Sequence, residues 1–464
     1  MQKNIFILTF LLLTIFTKAQ TFKIDTLRYN GDINKRINIV LLGDGYTATE
    51  QTKFITDVTK ISNYILNLSP YKQYQNYFNV FAIEIIATES GVSHPGTATD
   101  VTEPVIPVSK VNNYFNTSFD SYSIHRLIVA NNTSAINAVL AKNFPNYDLA
   151  MVVGNSIEYG GSGGTFPTIS VNADSPEIAA HELGHSFADL SDEYWTGYPA
   201  EKPNMTTQSD PALIKWKAWI GIKGIGIYPY GNTAPESQWF RPHQNCKMQF
   251  LGVAYCSVCA ETIIEKIHQL SNPIDFYFPS DTTTTISAPL NSMTFKSTLL
   301  KPNPNTLKQT WKLNNTDLAK NIDSISINNT DFINGNNTVS LTVIDTNTLS
   351  KSVQHPTLHT YSVIWKINKT VSGINEVNNI ISLNTFPNPA THQLNIKYTV
   401  QDFSSIGFNL MNSEGKKVKS IRTEKHGNGE YEQKLDLTDL PEGIYFLQCI
   451  MDKSVILNKI LVTK

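Results

Sequence analysis

The stretch SPEIAAHELGHSFADLSDEY, residues 175–194, decides how the middle of this chain folds. Its Ser175-Pro176 pair is typical of a helix N-terminus, with serine as the N-cap and proline at the first helical position. Apolar residues then recur at spacings of four and three, which predicts a stripe that packs on a sheet. These residues are Leu183, Phe187 and Leu190. The sequence therefore predicts an amphipathic helix in this stretch.

Two histidines of this helix, His181 and His185, are four residues apart. They share one helix face, so their ring nitrogens can bind one metal ion. Glu182 lies around the helix and can reach a water molecule at the open position of the metal. Zinc lowers the pKa of such a water, and a carboxylate can accept its proton. The pattern predicts one catalytic Zn²⁺ with Glu182 as general base, and the alternative is a pair of core histidines.

A catalytic zinc ion usually has three protein ligands, and the sequence leaves the third one open. Asp192 is favoured, but in a continuous helix it would lie about 10 Å along the axis from the second histidine. The chain must therefore turn back near Ala188. Glu193 and Glu261 are the alternatives, whereas Asp189 is expected to be a solvated acid at the helix end.

Residues 181–194 closely resemble the signature of the IgA-specific metalloendopeptidase family, a metzincin-like group of secreted bacterial zinc peptidases. Residues 37–47 resemble the opening strand and turn of that catalytic domain, and Cys246-Lys247-Met248 resembles its late segment. The resemblance covers residues 36–272. It implies a zincin-like catalytic domain with these functional residues: His181 and His185 as zinc ligands, Glu182 as general base and Asp192 as third ligand.

The chain departs from metzincins proper, which have glycine three residues after the second histidine and a ligand three residues further on. Ala188 and Ser191 stand at those positions, so the third ligand stays open. Met248 has two interpretations. It is either the methionine that metzincins share beneath the metal or a buried core methionine.

The N-terminus and the composition indicate an exported protein. Residues 1–19 read as a signal peptide, and residues 20–35 form a short N-terminal segment. The 37 basic and 39 acidic residues give a net charge of −2, which gives no reason to expect nucleic-acid binding. No later stretch is apolar for long enough to span a bilayer. We expect a secreted or surface protein that is a monomer.

Residues 36–272 alternate strand and helix signals, which predicts an α/β (α+β) domain. A capping box, Thr47-Ala48-Thr49-Glu50, opens a predicted helix over 47–67. The glycine-rich run 159–165 and the strand-like 168–171 are either a flexible loop or an edge strand that pairs with an extended peptide. Strands are predicted at 37–42, 77–87, 124–130 and 149–154.

Residues 273–370 carry short alternating runs rich in Asn, Thr, Ser, Ile and Val, for example 338–346 and 360–367. They predict an immunoglobulin-like β-sandwich that acts as a spacer or binds carbohydrate or a partner. Residues 371–383 read as a linker.

Residues 384–464 predict a small antiparallel β-domain with Pro and Gly turns. They resemble the C-terminal sorting domain of type IX secretion cargo in the run from Thr385-Phe386-Pro387-Asn388-Pro389 and in the late Leu440-Pro441-Glu442-Gly443. The resemblance implies a Gram-negative bacterium whose type IX machinery carries the protein across the outer membrane. The tail is then usually clipped, which leaves the enzyme released or attached to the surface.

Cysteines are expected to form disulfides in an exported protein. We expect Cys246 to pair with Cys256 or Cys259, whereas Cys449 stands alone. The alternative is a structural zinc ion bound by these three clustered cysteines and His243.

The sequence thus predicts a secreted zinc endopeptidase that acts on protein or peptide. One alternative is a surface binding protein or adhesin on a degenerate peptidase fold, and the intact Glu182 argues against it. Another is a zinc hydrolase of glycopeptide or cell-wall peptide. The spacing of the motif does not encode which substrate enters the cleft.

Overall fold

The structure is a computed structural model that describes residues 21–287, 291–352, 354–370, 380–401, 403–451 and 454–464. The predicted signal peptide and most of the predicted linker lie outside these residues. The chain divides into two compact units, Met1–Thr285 with Asn291–Asn368 and Ile286–Leu290 with Lys369–Lys464. The fold is mixed α/β with strands in several sheets. Among the described helices, none is both long and apolar enough to cross a membrane.

The N-terminal region of the first unit alternates strands with helices. Its helices are α1 (Gln51–Asn67), α2 (Thr133–Asn143), α3 (Ser175–Ala188) and α4 (Ser257–Leu270). Its strands are β1 (Lys23–Arg28), β2 (Ile37–Asp44), β3 (Phe78–Glu84), β4 (Thr117–Ser118), β5 (Val129–Ala130), β6 (Leu149–Gly154), β7 (Gly161–Ser162), β8 (Thr168–Ile169), β9 (Tyr228–Pro229) and β10 (Phe240–Arg241).

The main sheet has the order β1-β3-β2-β6-β8-β7. Its central strands β3, β2, β6 and β8 are parallel, whereas β1 and the edge strand β7 are antiparallel to their neighbours. Every residue of β2 is buried, because this strand lies mid-sheet with helices on both faces. Ile39 and Leu41 of β2 share a core with α1, α3 and α4, whereas Val40 and Leu42 share one with α2.

Two predicted boundaries in this region are wrong. The region 124–130 is a strand only over its last two residues, because Asp120, Tyr122 and Ser123 have positive φ angles and turn the chain into a loop. Helix α3 includes Ser175, so the N-cap is Asp174, whose side chain makes no capping hydrogen bond. The predicted capping box forms its bond from the Thr47 N–H to the Glu50 carboxylate. A 3₁₀ turn then leads from Thr47 into α1.

Asp44 ties the carboxyl end of β2 to a neighbouring loop. Its fully buried carboxylate accepts hydrogen bonds from the backbone N–H groups of Tyr114, Phe115 and Thr117 at 2.7, 3.1 and 3.3 Å. Burial raises the pKa of Asp44, and these hydrogen bonds oppose that shift. The carboxylate thus fixes the start of the segment that leads to residues 119–127.

We expect Asp44→Ala to lower the free energy of unfolding of the first unit by at least about 3 kcal/mol. The N–H groups of Tyr114 and Phe115 and the hydroxyl of Thr117 would lose their acceptor, and each costs about 1–3 kcal/mol when buried and unsatisfied. Thermal and urea unfolding of the full chain measure the loss. The control is Asp32→Ala at an exposed turn, which should change stability by about 0.5 kcal/mol or less. Equal effects of the two substitutions would contradict the role of Asp44.

Most of the described residues between Ile274 and Asn368 form β-structure of the first unit. One sheet has the order β11-β13-β16, and the other has the order β12-β18-β17-β14-β15. Trp311 stacks on Trp365 at a centroid distance of 5.8 Å, and Phe295 packs edge-on against Trp365. A short helix, α5 (His355–Leu358), precedes β18. The strands are β11 (Ile274–Phe278), β12 (Thr283–Ile286), β13 (Ser292–Leu299), β14 (Leu307–Leu313), β15 (Thr316–Lys320), β16 (Ser324–Asn328), β17 (Gly335–Asp345) and β18 (Thr360–Lys369).

The second unit contains the small antiparallel β-domain that the sequence predicts. Its sheets have the orders β19-β20-β23 and β22-β21-β24-β25. Alternate residues of these strands, such as Leu394, Ile396 and Tyr398, enter one apolar core. The strands are β19 (Ile380–Phe386), β20 (Gln393–Val400), β21 (Ser404–Met411), β22 (Lys417–His426), β23 (Gly429–Asp436), β24 (Gly443–Met451) and β25 (Ser454–Val462).

Candidate metal centre and cleft

The histidine helix ends where a ligand role for Asp192 requires it to end. The last residue of α3 is Ala188, and Asp189 takes a left-handed conformation with φ of 53°. The Asp189 N–H donates to the His185 carbonyl at 3.0 Å. The chain then reverses, so Asp192 returns to the helix.

Three side chains converge at this point. Asp192 Oδ1 lies 3.0 Å from His181 Nε2 and 3.3 Å from His185 Nε2, and the two Nε2 atoms are 3.1 Å apart. Ligands of a tetrahedral zinc ion with bonds of about 2.0–2.1 Å are about 3.4 Å apart. The exposed fraction of the side chain is 10% for His181, 21% for His185 and 19% for Asp192, so all three border the solvent. The spacing fits three ligands around one small cation.

The hydrogen bonds of the two imidazoles fix which nitrogen faces the centre. His181 Nδ1 donates to the Lys247 carbonyl at 2.9 Å, and His185 Nδ1 donates to the Leu190 carbonyl at 2.7 Å. Because a carbonyl only accepts, each Nδ1 carries the proton and each neutral ring presents a lone pair at Nε2. When both rings are neutral, two lone pairs and a carboxylate oxygen meet, and a cation between them would relieve their repulsion.

Protonation of the imidazoles also relieves this repulsion. Burial disfavours the charged forms of both His185 and Asp192. The hydrogen bond to Asp192 and the charge of its carboxylate nevertheless raise the pKa of His185 to about 9. Burial alone would also raise the pKa of Asp192, whereas hydrogen bonds from His181 and His185 hold it well below its usual range. Asp192 therefore stays ionised at neutral pH, as a metal ligand must be.

Glu182 is buried beside the three converging side chains, and glycines give it room. A Cβ atom at Gly163 would lie 3.0 Å from Glu182 Oε2, and one at Gly161 would lie 2.2 Å from Ile178 Cγ2. Burial raises the pKa of Glu182 above 4.5, although the two histidines oppose the shift. The glycine-rich run thus forms the edge strand β7 and packs over the carboxylate.

Met248 packs directly against the histidine helix. A Cβ atom at Gly184 would lie 2.5 Å from Met248 Sδ, so glycine is needed for this close approach. The Met248 carbonyl also accepts from the Glu193 N–H at 2.7 Å. The segment that carries Met248 therefore supports both the helix between its two histidines and the segment that carries Asp192.

The other carboxylates that the sequence offers as ligands point elsewhere. Glu193 Oε1 accepts from Cys259 Sγ at 3.1 Å and from Asn204 Nδ2 at 3.2 Å. Glu261 Oε2 accepts from Trp219 Nε1 at 2.8 Å. Asp189 is solvated, with its side chain 73% exposed and paired with Lys202. Asp192 is the carboxylate of this group that lies at the two histidines.

Two cavities meet at His181 and Glu182. The larger has a volume of about 930 Å³, and the smaller has a volume of about 300 Å³. Both are also lined by Arg126 and Tyr194, neither of which sequence reasoning assigned to the site. Tyr194 follows the motif directly, whereas no sequence pattern marks Arg126. The Tyr194 ring lies nearly parallel to His181, at 17° and a centroid distance of 6.4 Å.

The wall of the larger cavity is held by a buried ionic cluster. His94 Nε2 lies 3.2 Å from Glu103 Oε2, and His125 Nδ1 lies 3.1 Å from Asp120 Oδ1. Burial lowers the pKa of His125, but hydrogen bonds to Asp120 and Glu158 raise it overall. These contacts hold the loop that leads to Arg126.

Two segments of the chain match known family models. Residues 26–230 match the model of IgA peptidase M64, and residues 384–463 match the model of the secretion system C-terminal sorting domain. The first match includes the histidine helix and Asp192, and it ends before Cys246. The second coincides with the sorting domain that the sequence predicts. No curated protein matches the chain.

Solved structures show only weak likeness. A dimeric latent PorU from Porphyromonas gingivalis is 14% identical, with a TM-score of 0.16 over 41% of this chain and 20% of that one. Fibronectin(III)-like modules of CbhA from Clostridium thermocellum are 12% identical, with a TM-score of 0.19 over 40% of this chain and 92% of that one. β-Glucuronidase 3 from Bacteroides uniformis is 10% identical, with a TM-score of 0.16 over 50% and 30%. No function is taken from likeness this weak.

Proposed function

We propose that this chain is a zinc endopeptidase, and the matches of residues 26–230 to the IgA peptidase M64 model and of residues 384–463 to the secretion system sorting domain support the proposal. The sorting domain indicates export to the cell surface or the extracellular space. In this proposal His181, His185 and Asp192 hold one zinc ion and Glu182 is the general base. The observation that carries it is the convergence of three electron-pair donors within 3.3 Å beside a buried carboxylate.

The donor set fits zinc. Two neutral imidazoles and one carboxylate are ligands that catalytic zinc sites use, and an open position towards the cleft is left for water. When bound, zinc would make that water more acidic and polarise the scissile carbonyl. The carbonyls of Lys247 and Leu190 hold the two rings in the tautomer that presents Nε2, as outer-shell partners of metal-bound histidines do.

Glu182 moves the protons of the reaction. Its carboxylate accepts a proton from the attacking water and then gives it to the nitrogen of the leaving amine. Burial raises the pKa of Glu182, which makes the carboxylate a better base than an exposed one. Gly161 and Gly163 pack over it and restrict the water around it.

The cleft suits an internal peptide bond. Cavities on two sides of His181 and Glu182 leave room for residues before and after the scissile bond. The edge strand β7 borders the site, and in this proposal an extended peptide lies along it. Tyr122 and Tyr198 line the larger cavity and are 85% and 89% exposed, so they present free aromatic surface to side chains of the substrate.

Tyr194 and Arg126 are placed to stabilise the negative charge that develops on the scissile carbonyl. Burial and the nearby charge of Asp192 raise the pKa of Tyr194 to about 12, so the phenol stays protonated and can donate a hydrogen bond. Arg126 supplies a positive charge in both cavities. Donors aimed at developing charge are worth more in a cleft than in water.

We expect Tyr194→Phe to lower kcat by about 10²-fold with little change in KM, because it removes a donor and keeps the ring against His181. Steady-state kinetics on a cleaved peptide measure both constants. Tyr198→Phe is the control, since its exposed hydroxyl lies at the rim of the larger cavity. A change in KM alone would assign Tyr194 to substrate binding instead.

Cleavage-site profiling tests the proposed function. Purified protein and its Glu182→Ala variant are incubated with peptide libraries and mucosal protein extracts, and new termini are identified by mass spectrometry. We expect internal cleavages with the wild-type protein alone. A lack of any difference between the two proteins would favour a binding role, and cleavage confined to glycopeptide or cell-wall peptide would redefine the substrate.

A further inference from the structure

A second group of potential metal ligands lies in the core next to the candidate centre. It contains Cys246, Cys256, Cys259 and Glu193, whose ligand atoms all lie within 4.8 Å of one another. The exposed fractions are 0% for Cys246, Cys259 and Glu193 and 7% for Cys256. These residues are separate from His181, His185 and Asp192, and the proposed function does not use them.

The distances in this group resemble those of a tetrahedral zinc site. Cys246 Sγ and Cys259 Sγ are 3.7 Å apart. Glu193 Oε1 lies 3.1 Å from Cys259 Sγ and 3.8 Å from Cys256 Sγ. With Zn–S bonds of about 2.3 Å and Zn–O bonds of about 2.0–2.2 Å, tetrahedral geometry places sulfurs about 3.8 Å apart and sulfur and oxygen about 3.5 Å apart.

The expected disulfide is not formed. All four cysteines are free, and the sulfurs of Cys246 and Cys259 are too far apart for an S–S bond of about 2.05 Å. A single disulfide would also leave one buried thiol beside the Glu193 carboxylate. The alternative set of ligands also differs in one member, because Glu193 and not His243 lies with the three sulfurs.

One oxygen of the buried Glu193 carboxylate lacks a partner. Its Oε2 atom has no hydrogen bond among the described residues. A buried carboxylate is costly unless it is paired or bound to a metal. A cation between Glu193 and the sulfurs would satisfy it.

The surroundings of Cys246 suit a metal-bound thiolate. The backbone N–H of Cys256 donates to Cys246 Sγ at 3.3 Å. Three thiolates and one carboxylate give the same ligand charge as the Cys₄ set of common structural zinc sites.

From this arrangement we propose that Cys246, Cys256, Cys259 and Glu193 bind a second, structural zinc ion. Thiolates select zinc over magnesium or calcium, and four protein ligands leave no open position for catalysis. The ion would join three segments: the stretch after α3, the turn that carries Cys246 and the start of α4.

The second zinc ion would position the first site. Glu193 follows Asp192 directly, so a fixed Glu193 limits where the Asp192 carboxylate can lie. Cys246 precedes Lys247, whose carbonyl holds the His181 ring, and Met248, which packs against Gly184. Both neighbouring segments are thus anchored through one buried ion.

Zinc-edge X-ray absorption of the purified full chain tests the proposal. The His181→Ala variant is used because the first centre then loses a ligand, and zinc that remains reports the cysteine site. We expect one zinc ion per chain with three sulfur neighbours at about 2.3 Å. Zinc with only nitrogen and oxygen neighbours, or no bound zinc, would overturn the proposal.

Alkylation of the wild-type protein gives a second test that needs no variant. After denaturation with a chelator and without reductant, we expect all four cysteines to react. Reaction of only two would show a disulfide and overturn the proposal.

Substitutions then separate the two sites. Cys256→Ser should remove the zinc–sulfur signal and lower the melting temperature, whereas Cys449→Ser, at a buried cysteine of the second unit, should keep one zinc–sulfur site per chain. His181→Ala should abolish peptidase activity and keep that site. Failure of the proposed function would therefore leave this result unchanged.

Discussion

Glu182→Gln is expected to lower kcat/KM for peptide hydrolysis by about 10²–10⁴-fold, the usual contribution of a general base. Glutamine has nearly the same shape as glutamate, so its packing under Gly161 and Gly163 is kept. The variant can no longer accept a proton from the attacking water. Steady-state kinetics on one cleaved peptide measure the change.

The matched control is Asp174→Asn, at the N-terminus of the same helix. Asp174 is exposed, and its side chain makes no capping hydrogen bond, so we expect activity within about twofold, in line with small effects of surface substitutions. Metal content and melting temperature should match the wild type in both variants. Full activity of Glu182→Gln would exclude the proposed mechanism.

The acid limb of the pH profile gives a related check on Glu182. Burial raises its pKa above 4.5, so the base becomes protonated at a higher pH than an exposed glutamate as the pH falls. We expect kcat/KM to decline on the acid side with an apparent pKa above 4.5. In Glu182→Gln the residual activity should lose this dependence.

The helix and its end follow from local sequence. The spacing of His181 and His185 places both on one helix face, and a ligand role for Asp192 requires a turn near Ala188, where α3 ends. The buried strand β2 could also be predicted from the sequence, because a run of apolar residues with no polar face indicates a central parallel strand.

Contacts between segments that lie far apart in the sequence could not be predicted from it. Glu193 meets Cys259 across 66 positions of sequence, and Tyr194 meets Arg126 across a sheet and a loop. Spacing rules describe neighbours within one helix or strand, whereas these pairs depend on how α4 and the cleft wall pack. The sequence therefore offered Glu193 as an alternative ligand beside the two histidines, whereas the fold places it beside the cysteines, and it left Arg126 without a role.

The packing also gives meaning to residues that the sequence left ambiguous. Met248 lies in the core and touches the histidine helix at Gly184. Its own segment holds the Glu193 N–H and, through Lys247, the His181 ring. Core packing and support of the metal centre are thus the same role for this residue.

Asp192→Ala tests the third ligand. We expect the affinity of the catalytic centre for zinc to fall by more than about 100-fold, because loss of an outer-shell partner alone costs about 10–100-fold. Activity should be lost at trace zinc and should partly return when zinc is added. Glu182→Gln should show no such rescue, since it lacks a base and not a ligand.

The matched control is Asp189→Asn, three residues earlier. Asp189 is 73% exposed, and its left-handed conformation is one that asparagine tolerates. We expect this variant to keep wild-type zinc affinity and activity. If Asp192→Ala kept both as well, the third ligand would have to come from another residue. Glu261→Gln would then be the next variant to titrate with zinc, although its carboxylate contacts Trp219 in this fold.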